Sequence, residues 1–251
     1  PILDHDYISQ RYFFPRSAPL QDAVWVSTPG GRLGCWRSAP PSDRPVLVHF
    51  HGNGEIIQDW MGDFVHWVQA QGYEVFLAEY RGYGASEGIP RLAAMLDDVE
   101  AMVSAIGVPA SQLVAFGRSI GSLYAAEMVR RFPETRGLVI ESGIHDLEER
   151  LLLRASPAEL GCTGAELTEA VQAHFNQATR MSEYSGPSLF LHAVHDHLVG
   201  IGHAEANHQA AGAEKSHLVR FPRGDHNSIL AANVRPYLEA LGQFLARVRE
   251  G

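Results

Sequence analysis

Short apolar runs alternate with longer amphipathic segments along most of the chain. Eight of these runs have the length and composition of β-strands, and they lie at residues 24–27, 32–37, 45–50, 74–79, 112–117, 138–141, 188–193 and 217–221. Segments with apolar side chains at helical spacing follow several of them, at residues 55–71, 92–106, 120–131 and 227–249. Strands that alternate with helices of roughly 12 residues or more indicate a mostly parallel sheet with helices on both faces. We therefore predict an α/β fold with eight strands.

The region between the sixth and seventh predicted strands does not follow this alternation. It has two helical patterns, at residues 147–154 and 165–178, and no strand pattern. A simple connection between a helix and a strand needs only about 2–6 residues. We interpret the excess as a short helical lid at residues 144–186, inserted into a core made of residues 1–143 and 187–251. A chain of 251 residues is long enough to form one such core, so a single domain is expected.

Charge and cysteine content narrow the classes of function. The formal net charge of −9 disfavours a general nucleic-acid-binding surface and gives no electrostatic attraction to an anionic membrane. No apolar run reaches the roughly 18 residues that a transmembrane helix needs, so none is expected. The two cysteines, Cys35 and Cys162, are expected to be reduced thiols in a cytoplasmic protein. Because the sequence begins at Pro1, a targeting segment removed before that residue would leave no trace in it.

Residues 117–121 read Gly-Arg-Ser-Ile-Gly and match the pattern G-x-S-x-G. They follow an apolar strand and precede a helix, which is the setting that this motif requires. A serine on such a sharp turn needs neighbours without side chains, because the strand and the helix pass close to it. The motif therefore predicts Ser119 as a nucleophile above the carboxyl edge of the sheet. The alternative is a glycine-rich turn whose serine has no chemical role.

A serine hydroxyl needs a general base at neutral pH, and that base needs an acid to orient it. His226 lies in the loop after the last predicted strand, and Asp196 lies just after the strand before it. We predict that Ser119, Asp196 and His226 form a catalytic triad. Glu141, at the end of the preceding strand, and Asp225, next to His226, are the alternatives for the acid.

An acyl-transfer site also needs two backbone amides at the point where negative charge develops on the substrate. The amide of Ile120, directly after the nucleophile, is one candidate for this oxyanion hole. The loop at residues 51–55 supplies the other, with Asn53 preferred and Gly54 as the alternative. Arg118 either contacts an anionic group or forms a local ion pair. The predicted substrate pocket includes His51, Gly52, Gly54, Tyr83 and Arg118.

Two apolar groups could also face the substrate. Trp60, Met61 and Phe64 follow the predicted oxyanion loop, and the leucines at residues 151–153 fall within the predicted lid. If these side chains line the pocket, they would favour an apolar acyl or alkyl group. The alternative is that they belong to the cores of their helices.

These motifs together resemble the α/β-hydrolase superfamily. The sequence is most similar to its lidded serine-hydrolase branch, which includes ABHD-like acylhydrolases and serine-aminopeptidase-like or lysophospholipase-like proteins. The resemblance implies an eight-stranded sheet, acyl transfer through a covalent serine ester, and no cofactor, although it does not define one substrate. The predicted lid matches nothing in the family pattern. The matching residues are His51-Gly52-Asn53-Gly54, Arg81-Gly82-Tyr83-Gly84-Ala85-Ser86, Gly117-Arg118-Ser119-Ile120-Gly121-Ser122, Asp196 and Gly224-Asp225-His226.

We therefore predict a serine hydrolase that acts on a small-molecule ester or thioester, with either a small or an acyl-chain substrate. A serine peptidase of the aminopeptidase type is the first alternative, and a non-catalytic binding protein with the same fold is the second. Metal-dependent hydrolysis is disfavoured and no metal ligands are predicted. Residues 192–197 approach the zinc pattern H-x-H-x-D-H, but Val194 stands where the second histidine should be.

Overall fold

The computed structural model describes residues 2–250, in which eight strands form one sheet. The strands are β1 Val24–Thr28, β2 Gly31–Arg37, β3 Val46–Phe50, β4 Glu74–Ala78, β5 Leu113–Arg118, β6 Gly137–Glu141, β7 Ser188–Ala193 and β8 Ser216–Phe221. The α-helices are α1 Asp6–Tyr12, α2 Asp63–Ala70, α3 Asp98–Ile106, α4 Gly121–Arg131, α5 Leu147–Leu152, α6 Gly164–Phe175, α7 Gln177–Glu183, α8 Ile201–Ala211, α9 Ile229–Ala232 and α10 Val234–Glu250. All eight strands lie within about two residues of their predicted bounds.

The strand order across the sheet is β1-β2-β4-β3-β5-β6-β7-β8. β2 pairs antiparallel with β1 and β4, and β3 to β8 run parallel to one another. The prediction of a mostly parallel eight-stranded sheet is confirmed. The order reverses at β3, which lies between β4 and β5. In open sheets of this type, ligands bind beyond the carboxyl ends of the strands near such a reversal.

Both faces of the sheet are covered by apolar layers. Every residue of β3 is buried, because side chains on one face pack under α3 and α4 while those on the other pack under α2 and α10. Val48 belongs to the first layer, with Met102 and Leu123, and Leu47 belongs to the second, with Val68. This double burial explains why the central strands are continuous apolar runs in the sequence.

The helices differ more from the predictions than the strands do. The pattern at residues 55–71 gives a 3-10 turn at Ile57–Asp59 and then α2, because Gly62 has a φ of 113° and interrupts the helix. The pattern at residues 92–106 becomes a 3-10 turn followed by α3. The closing helix divides at Asn233, whose φ of −135° and ψ of 30° lie outside the helical region and separate α9 from α10. Three helices, α1, α7 and α8, were not predicted, although the pattern at residues 165–178 reaches the start of α7.

Residues 144–186 form α5, α6 and α7. Their buried side chains, including Leu151, Leu167 and Phe175, belong to the same apolar layer as the strands and helices of one sheet face. The segment therefore shares the core of the α/β unit. Within residues 2–250, no helix is both long and apolar enough to span a bilayer, and Cys35 and Cys162 are both free thiols.

Candidate active site

Ser119 lies on the turn between β5 and α4. Its φ is 53°, in the left-handed region that residues other than glycine rarely adopt. The flanking glycines permit this turn: a Cβ atom on Gly121 would overlap the carbonyl oxygen of Phe50, and one on Gly117 would overlap the turn itself. The Ser119 amide donates to the carbonyl of Glu141 over 2.9 Å, which ties the turn to β6.

The structure brings the three predicted triad side chains together. His226 Nε2 lies 2.9 Å from Ser119 Oγ, and His226 Nδ1 lies 2.7 Å from Asp196 Oδ2. All three residues are buried, although they come from loops after β5, β7 and β8. With Nδ1 protonated and donating to the carboxylate, Nε2 is free to accept the serine proton.

Asp196 is held by backbone groups on the side away from His226. Its Oδ1 accepts hydrogen bonds from the amides of Leu198 at 2.9 Å and Val199 at 2.8 Å. Burial raises the pKa of Asp196, but hydrogen bonds from His226 and Val199 outweigh burial and leave the pKa below its usual value. The carboxylate is therefore charged and fixed in orientation at neutral pH. His192 lies beneath it, donating from Nε2 to the carbonyl of Val199 over 2.7 Å, and burial lowers the pKa of its imidazole.

The two alternative acids make other contacts. Glu141 accepts from Arg118 Nε at 2.9 Å and from the hydroxyl of Tyr237. Asp225 is exposed and accepts from the amides of Asn227 and Ser228, which closes its own turn. Neither carboxylate contacts the His226 ring. Within residues 2–250, no group of three or more His, Cys, Asp or Glu side chains is placed to hold a metal ion.

The two predicted oxyanion donors lie beside Ser119. Among the described residues, the backbone amides of Ile120 and Asn53 have no hydrogen-bond acceptor. The Asn53 side chain, in contrast, makes three hydrogen bonds. Its Oδ1 accepts from the Phe14 amide at 3.0 Å and from the Tyr83 hydroxyl at 2.8 Å, while its Nδ2 donates to the carbonyl of Tyr12. Any contribution of Asn53 to an oxyanion hole would therefore come from its main chain.

A small pocket of about 190 Å³ opens above Ser119. Of the five residues predicted to form the substrate pocket, only Arg118 lies in the lining of this pocket. His51 is buried behind the pocket, where Nε2 contacts Glu79 Oε1 at 2.6 Å and Nδ1 contacts the Gly52 carbonyl at 2.8 Å. Gly52, Gly54 and Tyr83 are also absent from the lining. The lining residues are Tyr12, Phe14, Asn53, Arg118, Ser119, Ile120, Ile144, Arg150, Arg154, Leu198, Val199, His226 and Asn227.

Arg118 connects three parts of the site. Its guanidinium lies 2.6 Å from Glu55 in the oxyanion loop and 2.9 Å from Glu141 at the end of β6, and it donates to the carbonyl of His226 over 2.7 Å. Glu55 in turn accepts from the Gly52 amide at 2.7 Å. Burial disfavours the charged form of Arg118, but the two glutamates outweigh burial and raise the pKa of its guanidinium. Arg118 was considered either as a contact for an anionic group or as part of a local ion pair, and in the structure it forms the local ion pair.

The apolar groups considered for the pocket lie elsewhere. Trp60 and Phe64 line a neighbouring cavity of about 450 Å³ on the α2 and α10 side of Arg118, and Met61 packs against the apolar layer on that face. Leu151 is in the core, while Leu152 and Leu153 are 47% and 63% exposed on the outside of the segment. Consecutive side chains lie about 100° apart around a helix axis, so three leucines in a row cannot all face the core.

Two groups of lining residues were not predicted. Tyr12 and Phe14 come from the N-terminal segment, and Arg150 and Arg154 come from α5 and the turn after it. The two groups are linked, because Arg11 donates to the Arg154 carbonyl at 3.0 Å and Arg154 donates to the Arg11 carbonyl at 3.1 Å. No sequence motif marks these positions, since the contact joins residues more than 140 positions apart.

Comparisons with known proteins agree with this architecture. Residues 41–161 match the family described as serine aminopeptidase, S33. The Escherichia coli (strain K12) protein YfhR is 26% identical over 230 residues, covering 88% of this chain and 78% of that protein. The Arabidopsis thaliana α/β hydrolase domain-containing protein WAV2 is 25% identical, covering 91% and 79%.

Solved structures have the same fold. The Pyrococcus furiosus esterase Pf2001 superposes with a TM-score of 0.72 at 15% identity, covering 94% of this chain and 98% of that one. Est1E from Butyrivibrio proteoclasticus superposes with a TM-score of 0.71 at 17% identity, covering 92% and 100%. With its sheet order and strand-end loops, the chain has the α/β-hydrolase fold, and its sequence is similar to proteins of that superfamily.

Proposed function

We propose that this chain is a serine hydrolase that cleaves a carboxylic ester or thioester through an acyl-enzyme on Ser119. The observation that carries the proposal is the pair of hydrogen bonds from Ser119 Oγ through His226 to Asp196, 2.9 and 2.7 Å long. A nucleophile, a base and an orienting acid at such distances are the elements that nucleophilic catalysis requires. Asp196 is preferred to Glu141 and Asp225 because only Asp196 contacts the base.

In this mechanism His226 Nε2 takes the proton of Ser119 as Oγ attacks the substrate carbonyl carbon. The developing oxyanion accepts hydrogen bonds from the amides of Asn53 and Ile120, and Asp196 stabilises the imidazolium. His226 then protonates the leaving alcohol or thiol as the bond to the carbonyl carbon breaks. Water enters by the same route, with His226 again as the base, and releases the acid.

An aminopeptidase is the second candidate, and the match of residues 41–161 to serine aminopeptidase S33 favours it. Recognition of a substrate's free ammonium group needs a nearby carboxylate or several oriented acceptors. Within the described part of the chain, the lining of the Ser119 pocket contains three arginines and no Asp or Glu. The charge of the pocket therefore supports an ester or thioester substrate over a peptide with a free amino terminus.

Pocket size supports a short acyl group. The pocket measures about 190 Å³, whereas sites for drug-sized ligands usually have about 300–1,000 Å³. Among p-nitrophenyl esters of graded length, we expect the highest kcat/KM for acetate to butyrate.

Labelling by a fluorophosphonate probe tests the nucleophile. We expect a single adduct on Ser119 in the folded protein, located by mass spectrometry of peptides. Ser119→Ala should lose the adduct and reduce p-nitrophenyl acetate turnover by about three orders of magnitude or more, because the triad acts as a unit. Ser182→Ala, at an exposed serine of α7, is the control and should retain both.

Absence of an adduct in wild-type protein with a native circular dichroism spectrum would favour the non-catalytic alternative. Turnover retained in Ser119→Ala would refute the mechanism. Aminoacyl p-nitroanilides, measured in parallel, separate the two enzyme classes: turnover of these amides at rates above those of the esters would favour the aminopeptidase.

A further inference from the structure

Two cationic side chains of the pocket have no role in the triad. Arg150 lies near the end of α5 and Arg154 in the turn that follows, and both line the cavity above Ser119. Tyr12 lines the same cavity. Burial raises the pKa of Tyr12 to about 12, and the positive charges of Arg150 and Arg154 oppose that shift.

Neither guanidinium has a close carboxylate partner within residues 2–250. The nearest to Arg150 is Glu149 at 3.8 Å, and that side chain is 56% exposed. Arg154 forms no salt bridge; it donates to the Arg11 carbonyl and lies 5.2 Å from the centre of the Phe14 ring. Arg118 differs from both, since Glu55 and Glu141 neutralise it.

A cationic pocket mouth is unusual on this chain, whose formal net charge is −9. The other arginines with short ion pairs face acids on the surface or in the core, such as Arg37 with Glu74 at 2.8 Å and Arg81 with Asp98 at 2.6 Å. A planar guanidinium presents paired donors that match the two oxygens of a carboxylate. A bound carboxylate would also replace the water that solvates the two arginines when no substrate is present.

We propose that Arg150 and Arg154 bind a carboxylate group of the substrate, so that the preferred ester or thioester is an anionic one. This inference rests on the proposed function and specifies its substrate class. The size of the pocket, about 190 Å³, limits the distance between the carboxylate and the scissile carbonyl to a short chain. The carboxylate belongs either to the acyl group or to the leaving group.

Two matched pairs of substrates test the proposal. Mono-p-nitrophenyl glutarate has a free carboxylate on the acyl side, and its methyl ester is the neutral counterpart. S-acetyl-3-mercaptopropionate has the carboxylate on the leaving side, and its methyl ester is again the neutral counterpart. We expect kcat/KM to favour the anionic member of at least one pair by about tenfold or more, and this preference to fall with rising salt.

The Arg150→Gln/Arg154→Gln double variant should reduce the ratio of kcat/KM for the anionic member of a pair to that for its neutral counterpart to about one. Arg235→Gln is the matched control, because Arg235 is 88% exposed on α10, pairs with Glu239 and lies outside the pocket. It should retain the preference.

Preference for the neutral member in both pairs would overturn the proposal. So would a double variant in which kcat/KM falls by the same factor for both members of a pair, because that result indicates a structural role for the two arginines. In either case turnover of the neutral esters leaves the serine-hydrolase function intact. If wild type turns over neither member and Ser119 takes no fluorophosphonate, both the proposed function and this inference fail.

Discussion

At the scale of single residues, Ser119 combines a reactive position with an unfavourable backbone conformation. Its φ of 53° costs a residue with a Cβ atom about 1–3 kcal/mol. The surrounding structure holds the turn through the hydrogen bond from the Ser119 amide to β6 and through Ser122 Oγ, which donates to the Ser119 carbonyl over 2.6 Å. The hydroxyl is thereby directed at His226 before substrate binds.

This strain can be measured with two inactive variants. Ser119→Gly and Ser119→Ala both lack the hydroxyl, but only glycine adopts a positive φ without a steric penalty. We expect the free energy of unfolding of Ser119→Gly to exceed that of Ser119→Ala by about 1 kcal/mol, measured by urea denaturation. Ser182 in α7 gives a control of opposite sign, because Ser182→Gly should be less stable than Ser182→Ala by up to about 1 kcal/mol. Equal stability of the two Ser119 variants would contradict strain at the turn.

At the scale of elements, the site is built from the loops that follow β3, β5, β7 and β8. Arg118, at the end of β5, connects the loops after β3 and β8 with the end of β6. Its guanidinium contacts the loop at residues 51–55 through Glu55, the end of β6 through Glu141 and the loop after β8 through the His226 carbonyl. Burial raises the pKa of Glu141, and the charge of Arg118 opposes that shift. One buried side chain therefore links the loops that carry the proposed nucleophile, base and oxyanion amides.

Arg118→Lys tests this positioning role. Lysine keeps the charge but has a single ammonium group, which cannot reach two glutamates and a carbonyl in the geometry of a guanidinium. We expect kcat for p-nitrophenyl acetate to fall by about tenfold or more, with a smaller change in KM. Arg37→Lys is the control, because Arg37 is equally buried and pairs with Glu74 away from the site. It should lose similar stability without losing kcat; an equal loss of kcat in both variants would exclude a specific role for Arg118.

The strands and their carboxyl ends could be predicted from the sequence, because central strands that are buried on both faces leave continuous apolar runs. Ser119 follows such a run directly, and Asp196 and His226 lie shortly after the ends of β7 and β8, so their meeting at one edge of the sheet could also be predicted. The helix α8 could not be predicted from the sequence, because its Ala, Gly, His and Asn residues give no apolar stripe. The interruption at Gly62 depends on backbone conformation, which helical spacing does not reveal.

At the scale of the whole molecule, the pocket is closed by two parts of the chain that are distant in sequence. The N-terminal segment supplies Tyr12 and Phe14, and the region of α5 supplies Arg150 and Arg154. Their positions could not be predicted from motifs, because the two parts meet through hydrogen bonds between Arg11 and Arg154, which are distant in sequence. Asn53 links the N-terminal segment to the loop at residues 51–55, because its side chain binds the main chain of Tyr12 and Phe14.

The Asn53→Ala variant tests the contacts of the Asn53 side chain with the N-terminal segment separately from the role proposed for its backbone amide. The substitution keeps the backbone amide proposed for the oxyanion hole but removes the side-chain hydrogen bonds to Tyr12 and Phe14 and the acceptor of the Tyr83 hydroxyl. With the N-terminal segment less restrained, the pocket should admit longer acyl groups. We expect the ratio of kcat/KM for p-nitrophenyl hexanoate to that for acetate to rise by about fivefold or more.

The matched control is Gln58→Ala, which removes one exposed hydrogen bond, from Gln58 Nε2 to the Pro19 carbonyl, without touching the pocket lining. Its hexanoate-to-acetate ratio should equal that of wild type. If Asn53→Ala lowers turnover of both esters by the same factor, the side chain acts by holding the oxyanion loop, and chain-length selection by the N-terminal segment is refuted. A rise in the ratio, together with increased amide hydrogen exchange in residues 6–14, would identify that segment as the element that limits acyl length.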